Sequence, residues 1–304
     1  MFKVILYYYY LEIKDVDKFL KQHLNFFEGL DIKGRIIISQ EGINGTLSGL
    51  EEDVDNYMNF VKEDLGLERI NFKIDDCDSH VFPKLSIKIK PELCNLSLNE
   101  NIDPNQLTGK HLNPKLFYDM MLDPSTVIID ARNDYEFNLG HFKGAINPKI
   151  KHFRDLPKWF DENIDKFKNK NVLTYCTGGV RCEKFSGYMK KKGIKNVFQL
   201  DGGIISYRND PKTRGKLWKG KCYVFDQRIS IPINKINPEV VGKDYISGEP
   251  CERYINCSNP KCNKHILLTI ENDKRFKGAC SQVCLEIVND SIKNKETEIY
   301  KRAP

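Results

Sequence analysis

The hydrophobic positions of the first 93 residues switch repeatedly between two rhythms. Phe2-Lys-Val-Ile-Leu-Tyr-Tyr-Tyr-Tyr10 is dense in β-branched and aromatic side chains, as strands are, whereas Val16, Phe19, Leu20, Leu24 and Phe27 recur at helical spacing. Next come an apolar run, Arg35-Ile-Ile-Ile-Ser39, a Gly-Ile-Asn-Gly turn at 42–45 and Thr46-Leu-Ser48. A second helix follows, with Val54, Tyr57, Met58 and Val61 on one face. Ile70–Ile74 and Leu85–Ile89 alternate like strands. The order βαββαβ with one extra strand predicts a ferredoxin-like α+β sandwich over residues 1–93. Nothing in that pattern calls for a catalytic role.

Residues 94–112 are rich in turn formers and poor in periodicity, which predicts a linker. In residues 113–210, Thr126–Asp130, Val172–Tyr175 and Val197–Leu200 are short apolar runs bounded by turn residues, with helical segments between them. That pattern predicts buried parallel strands in a three-layer α/β domain. Asp201-Gly-Gly-Ile204 reads as a tight turn closing the third strand. Residues 211–304 have sparse apolar content, hold six of the ten cysteines and end in a polar tail containing Asn294–Glu298.

Composition narrows the class. A chain of 304 residues can fill two or three cores, and no apolar run approaches the ~20 residues of a membrane span. The N-terminus lacks a basic region followed by an apolar core, so a cytoplasmic protein is expected. Cysteines in such a chain point to metal binding or redox chemistry before disulfides. The net charge of +6 is uneven: residues 211–304 carry 18 Lys and Arg against 11 Asp and Glu, leaving 30 against 31 for the rest. Lys212, Arg214, Lys216, Lys219 and Lys221 lie in a stretch without an acid, and such a zone attracts polyanions, nucleic acid above all.

Candidate chemistry concentrates at Cys176-Thr-Gly-Gly-Val-Arg181, between an apolar strand and a helix. Reactive groups in parallel sheets collect at such strand ends. The amides of Thr177, Gly178, Gly179 and Val180, the helix N-terminus and the Arg181 guanidinium form an anion cradle. They should lower the Cys176 thiol from about 8.5 to roughly 4–7, leaving a thiolate nucleophile accessible to a reactant. Four residues between Cys and Arg make a tight ring, suited to one extra sulfur atom rather than to a phosphate. Cys182, past the loop, reads as a packing residue.

Ile128-Ile-Asp-Ala-Arg132, Asn133-Asp-Tyr-Glu136, Gly140–Ile146, the Cys176 loop and Asp201–Ile204 occur in the order found in rhodanese domains. With Glu41-Gly-Ile-Asn-Gly-Thr-Leu-Ser-Gly49 and Tyr223-Val-Phe-Asp-Gln-Arg228, the chain resembles the bacterial rhodanese-like tRNA uridine hydroxylases. The resemblance implies oxygen-dependent conversion of uridine 34 in tRNA to 5-hydroxyuridine, with O2 and an electron donor that the sequence does not name. In that family the cysteine matching Cys176 is the proposed active-site residue, inferred to carry a persulfide. The partner implied is tRNA, with no DNA and no membrane; the oligomeric state is left open. Asp130 and Arg132 are expected to brace the loop as a buried ion pair, and His141 to orient a turn.

Cys257-x4-Cys262 and Cys280-x3-Cys284 form two close pairs that could enclose a structural zinc ion, with Cys251 and His265 as spare candidates. Two other functions fit the sequence. A sulfurtransferase passing sulfane sulfur through Cys176 would release thiocyanate from cyanide without tRNA. A non-catalytic tRNA-binding adaptor would show salt-dependent affinity and no product.

Overall fold

The computed structural model describes residues 1–100 and 102–291, so the tail containing Asn294–Glu298 lies outside the described residues. The N-terminal domain runs β1 (Phe2–Tyr10), α1 (Val16–Phe27), β2 (Lys33–Ser39), β3 (Gly42–Leu50), α2 (Glu51–Asn59), β4 (Lys73–Cys77) and β5 (Leu85–Ile89). Its sheet order is β4-β1-β3-β2-β5, antiparallel except that β5 runs parallel to β2. This is the ferredoxin-like arrangement with the extra strand at the edge. Period-2 alternation divides β1 cleanly: Ile5 and Tyr7 enter the core under the helices, while Leu6 and Tyr8 face the next domain.

Two local expectations change. The Gly-Ile-Asn-Gly segment is not a turn but the start of β3, paired with Tyr10 through Tyr7. Its glycines serve close packing: a Cβ on Gly45 would lie 2.3 Å from the Tyr7 hydroxyl. The fourth strand begins at Lys73, three residues later than its apolar pattern suggests. Ile70 is buried instead in the loop that precedes it.

The second domain contains β6 (Lys110–Leu112), α3 (Pro114–Met121), β7 (Thr126–Asp130), α4 (Asp134–Leu139), β8 (Gly140–Phe142), α5 (Leu156–Asn163), β9 (Asn171–Tyr175), α6 (Val180–Lys191), β10 (Val197–Leu200) and α7 (Gly203–Asn209). Its four-stranded sheet, β6-β10-β9-β7, is wholly parallel. Val172 and Ile129 face one apolar layer, and Leu173, Tyr175 and Ile128 the other, giving the three layers expected. The stretch read as a linker is more than a connection. Its last residues form edge strand β6, and Leu96 is buried among the helices of this domain.

The C-terminal region comprises β11 (Trp218–Tyr223), β12 (Ser230–Pro232), β13 (Tyr254–Asn256), β14 (His265–Leu267) and α8 (Ile270–Phe276). β11 pairs with β8, so this region is continuous with the second domain, and Trp218 and Cys222 complete that domain's outer core.

A buried cation fastens the first two domains. Lys184 of α6, 1% exposed at its side chain, lies 2.7 Å from Glu41 in the β2–β3 turn and 2.8 Å from Glu92. Removing one partner of a buried charge cluster strands the others. Lys184→Met should therefore lower unfolding stability by about 3 kcal/mol, read from denaturant midpoints. A change below about 0.5 kcal/mol would mean the cluster is solvated.

Candidate active site

Cys176 stands where β9 ends and α6 begins. The Gly179 amide donates to its Sγ at 3.1 Å, and Gly179 reaches that position by adopting φ +106°, a conformation that residues with side chains rarely take. Behind the loop, the amides of Ile204 and Ile205 donate to the carbonyls of Cys176 and Thr177 at 3.0 and 3.2 Å. With the carbonyls held from that side, the amides of Gly179 and Arg181 face the sulfur. Burial raises the Cys176 pKa. The Cys182 thiol, the Arg181 charge and the amides of Arg181 and Gly179 outweigh it and bring the thiol down to about 6. Cys182 is fully buried, and burial together with the nearby Cys176 pushes its own thiol well up.

Arg181 departs from the expected arrangement. Its guanidinium does not stand free in the cradle: it donates to both carboxylate oxygens of Glu136 at 2.7 and 2.8 Å, and to Thr177 Oγ1 at 3.3 Å. Glu136 is fully buried in the first turn of α4; burial alone would raise its pKa, but the Arg181 charge overrides this and keeps it below the usual range. Arg181 thus acts on the sulfur through its field and its backbone N–H, while its side chain ties the loop to α4.

Asp130 and Arg132 form the expected buried pair, 2.6 Å apart and both without exposed side-chain surface. Arg132 also donates to the Gly140 carbonyl at 2.7 Å, and the Tyr175 hydroxyl donates to Asp130 at 2.7 Å. The pair therefore grips the residue preceding Cys176. His141 Nδ1 lies 2.9 Å from the Phe137 carbonyl, holding the turn after α4.

Cys176 is 1% exposed, so its sulfur is reached not from open solvent but through a cavity of about 310 Å³. Leu6, Tyr8, Ile37, Asn44 and Thr46 of the N-terminal sheet line it opposite Thr177, Gly178, Val180 and Arg181 of the loop. The N-terminal domain, given no catalytic part by its pattern, supplies half of the site. The Tyr8 hydroxyl donates to Glu183 at 2.8 Å, and the same carboxylate accepts from Thr108 at 2.8 Å and Gln199 at 2.9 Å and contacts His111 at 2.8 Å. Lys73 lies 4.7 Å from the Tyr8 ring centre, its pKa lowered by burial to about 8.

Three family descriptions match consecutive parts of the chain: the UPF0176 acylphosphatase like domain at residues 2–93, the Rhodanese-like domain at 113–210 and Rhodanase C-terminal at 219–285. The tRNA uridine(34) hydroxylases of Shouchella clausii and Acholeplasma laidlawii are each 54% identical to it, over 93% of this chain and 88% and 89% of theirs. That of Staphylococcus saprophyticus is 50% identical over 97% of this chain and 93% of its own. This chain belongs to the tRNA uridine(34) hydroxylase family.

Other candidates fall in two places in this family member. Lys212, Arg214 and Lys216 are exposed, whereas Lys219 and Lys221 lie 2.7 Å from Glu239 and 3.4 Å from Glu252, acids distant in sequence. Cys257, Cys262, Cys280 and Cys284 converge, their sulfurs all within 4.8 Å of one another. Cys251 and His265 stand apart from that cluster: Cys251 packs against Leu139 and Leu267, and His265 bonds the Tyr254 hydroxyl. Sequence reasoning missed Glu136, Glu183, Tyr8 and Lys73. Glu136 and Asn44 sit in motifs quoted for the family resemblance, but no local chemistry marked them.

The lowered thiol predicts a pH profile. Thiolate forms as pH rises through the pKa, so alkylation of Cys176 by iodoacetamide, followed by peptide mass spectrometry, should rise to a plateau with a midpoint near 6. A midpoint near the free value of about 8.5 would contradict the cradle.

Proposed function

We propose that this chain hydroxylates C5 of uridine 34 in tRNA, with Cys176, as thiolate or persulfide, providing the attacking sulfur. The observation that carries the reading is a thiol lowered to about 6 at the floor of a cavity large enough for an organic ring, in a member of this family. Addition of the sulfur to C6 makes C5 carbanion-like, and C5 then takes up O2. A two-electron reductant, with two protons, releases one oxygen atom as water. Loss of the C5 proton and expulsion of the sulfur restore the ring and free the thiolate. The amides of Gly179 and Arg181 hold the sulfur, Thr177, Gly178 and Val180 complete the loop around it, and Arg181, Asp130 and Arg132 position that loop. Sulfur transfer from a small donor such as thiosulfate would not use the broad, largely apolar wall, and an adaptor would not need the lowered thiol. Lys212, Arg214 and Lys216 supply exposed positive charge for tRNA phosphates.

We also propose that the C-terminal cysteines hold a structural zinc ion. The sulfurs of Cys262 and Cys280, and of Cys280 and Cys284, are 3.7 Å apart. Thiolates bound at about 2.3 Å around a tetrahedral centre would be separated by about 3.8 Å. The Asn259 side-chain amide and the Cys280 backbone amide donate to Cys284 and Cys257 at 3.3 and 3.4 Å, as outer partners of metal thiolates do. The ion would cross-link a region with little core of its own.

Cys176→Ser should remove 5-hydroxyuridine from tRNA, measured by nucleoside mass spectrometry, while changing tRNA affinity less than about twofold. Undiminished product would reject the nucleophile. Purified protein should contain about one zinc per chain by elemental analysis, with a melting temperature that falls on chelation. Protein without metal and with the same melting temperature would reject the zinc site.

A further inference from the structure

The open face of the N-terminal sheet turns two cross-strand rows toward the reactive loop. Tyr8, Asn44 and Ile37 are neighbours in one row, and Leu6, Thr46 and Arg35 in the next. Asn44 and Arg35 both present polar groups to this wall. Among the described residues the half-buried Asn44 amide makes no side-chain hydrogen bond, and the exposed Arg35 guanidinium has no carboxylate beside it, lying instead 5.8 Å from the Phe82 ring centre. The donor and acceptor of the Asn44 amide are therefore free to meet a partner that enters the cavity. Phe225 is also uncovered, 47% exposed beside the cavity, with the Arg181 guanidinium 5.8 Å from its ring centre. At about 310 Å³ the cavity lies at the low end of the roughly 300–1,000 Å³ of small-ligand sites. It suits one flat ring and not a stacked strand.

We propose that this cleft is a nucleobase pocket in which the target uracil, turned out of its stack, pairs by its N3–H and O4 edge with the Asn44 amide. Phe225 covers its face, and Arg35 meets the adjoining phosphate. The proposal rests on the hydroxylase reading and adds how the base is held. An amide offers one acceptor and a donor side by side, which matches N3–H and O4. In the pyrimidine ring C6 lies opposite N3, so a base fixed by that edge on the sheet directs C6 across the cavity to the loop that carries Cys176. The family's reacting sulfur and the base-reading residue would thus come from different domains.

The test uses full-length Cys176→Ser protein, which halts turnover, and two anticodon stem–loop RNAs, one with uridine at position 34 and one abasic there. The uridine RNA should bind about tenfold or more tightly than the abasic one. Asn44→Leu and Phe225→Ala should each remove most of that preference while leaving abasic affinity unchanged; Arg35→Gln should weaken both RNAs alike and flatten the salt dependence. No preference in the Cys176→Ser protein overturns the pocket, as does equal loss for both RNAs or full preference retained in the Asn44 and Phe225 variants. Product formation by the protein with Cys176 intact is followed in parallel. Absence of 5-hydroxyuridine sinks the hydroxylase reading, whereas product with the preference unmoved sinks only the pocket.

Discussion

A Cβ on Gly178 would lie 2.7 Å from a methyl of Leu6, and one on Gly179 would lie 2.8 Å from the Tyr8 hydroxyl. The contact between β1 and the reactive loop therefore requires bare backbone on the loop side. Those same residues curl the chain so that an amide reaches the Cys176 sulfur. Anion cradle and domain docking are two uses of one pair of glycines, and neither can change without the other. A side chain at 178 or 179 would first displace the ends of the Leu6 and Tyr8 side chains that line the cavity.

Arg181 contributes to that cradle while its side chain is paired with Glu136. A free guanidinium beside the sulfur would hold the thiolate more tightly, and thiolates lose nucleophilicity as their pKa falls. The Cys182 thiol, the Arg181 charge and the amides of Arg181 and Gly179 together leave the thiol at about 6, low enough to be ionised near neutral pH and high enough to remain a capable nucleophile. Arg181 therefore acts on the sulfur while bound to Glu136. The same pair fixes the loop to α4, so the electrostatic and mechanical roles of Arg181 are inseparable.

Much of this was legible in the chain. Period-2 and helical spacings gave the ferredoxin-like and three-layer units, because strands such as Thr126–Asp130 are short, apolar and bounded by turn residues. The strand–Cys–Gly-Gly–Arg–helix order marked Cys176 as the candidate, because each part acts within a few residues. What stayed hidden depends on distant partners. Glu136 lies 45 residues before Arg181, and Tyr8 lies 175 before Glu183. The Gly-Ile-Asn-Gly segment carries ordinary turn residues, and its pairing with both β1 and β2 makes it a strand. Lys219 and Lys221 read as free cations because Glu239 and Glu252 arrive from later in the chain.

The burial of Cys176 follows from how the three regions share contacts. Asp75 of the N-terminal domain accepts Arg208 of α7 at 2.9 Å and Arg228 of the C-terminal region at 3.3 Å, and the Gln227 amide donates to Val81 at 2.9 Å. Phe225 stands in that same segment, two residues after β11 ends. The cavity is thus closed on one side by a sheet, on another by the loop and at a third by a strap that a neighbouring ion-pair network holds in place. Cys176 is left 1% exposed behind these walls, so a reactant meets the sulfur through the cavity that the three regions share.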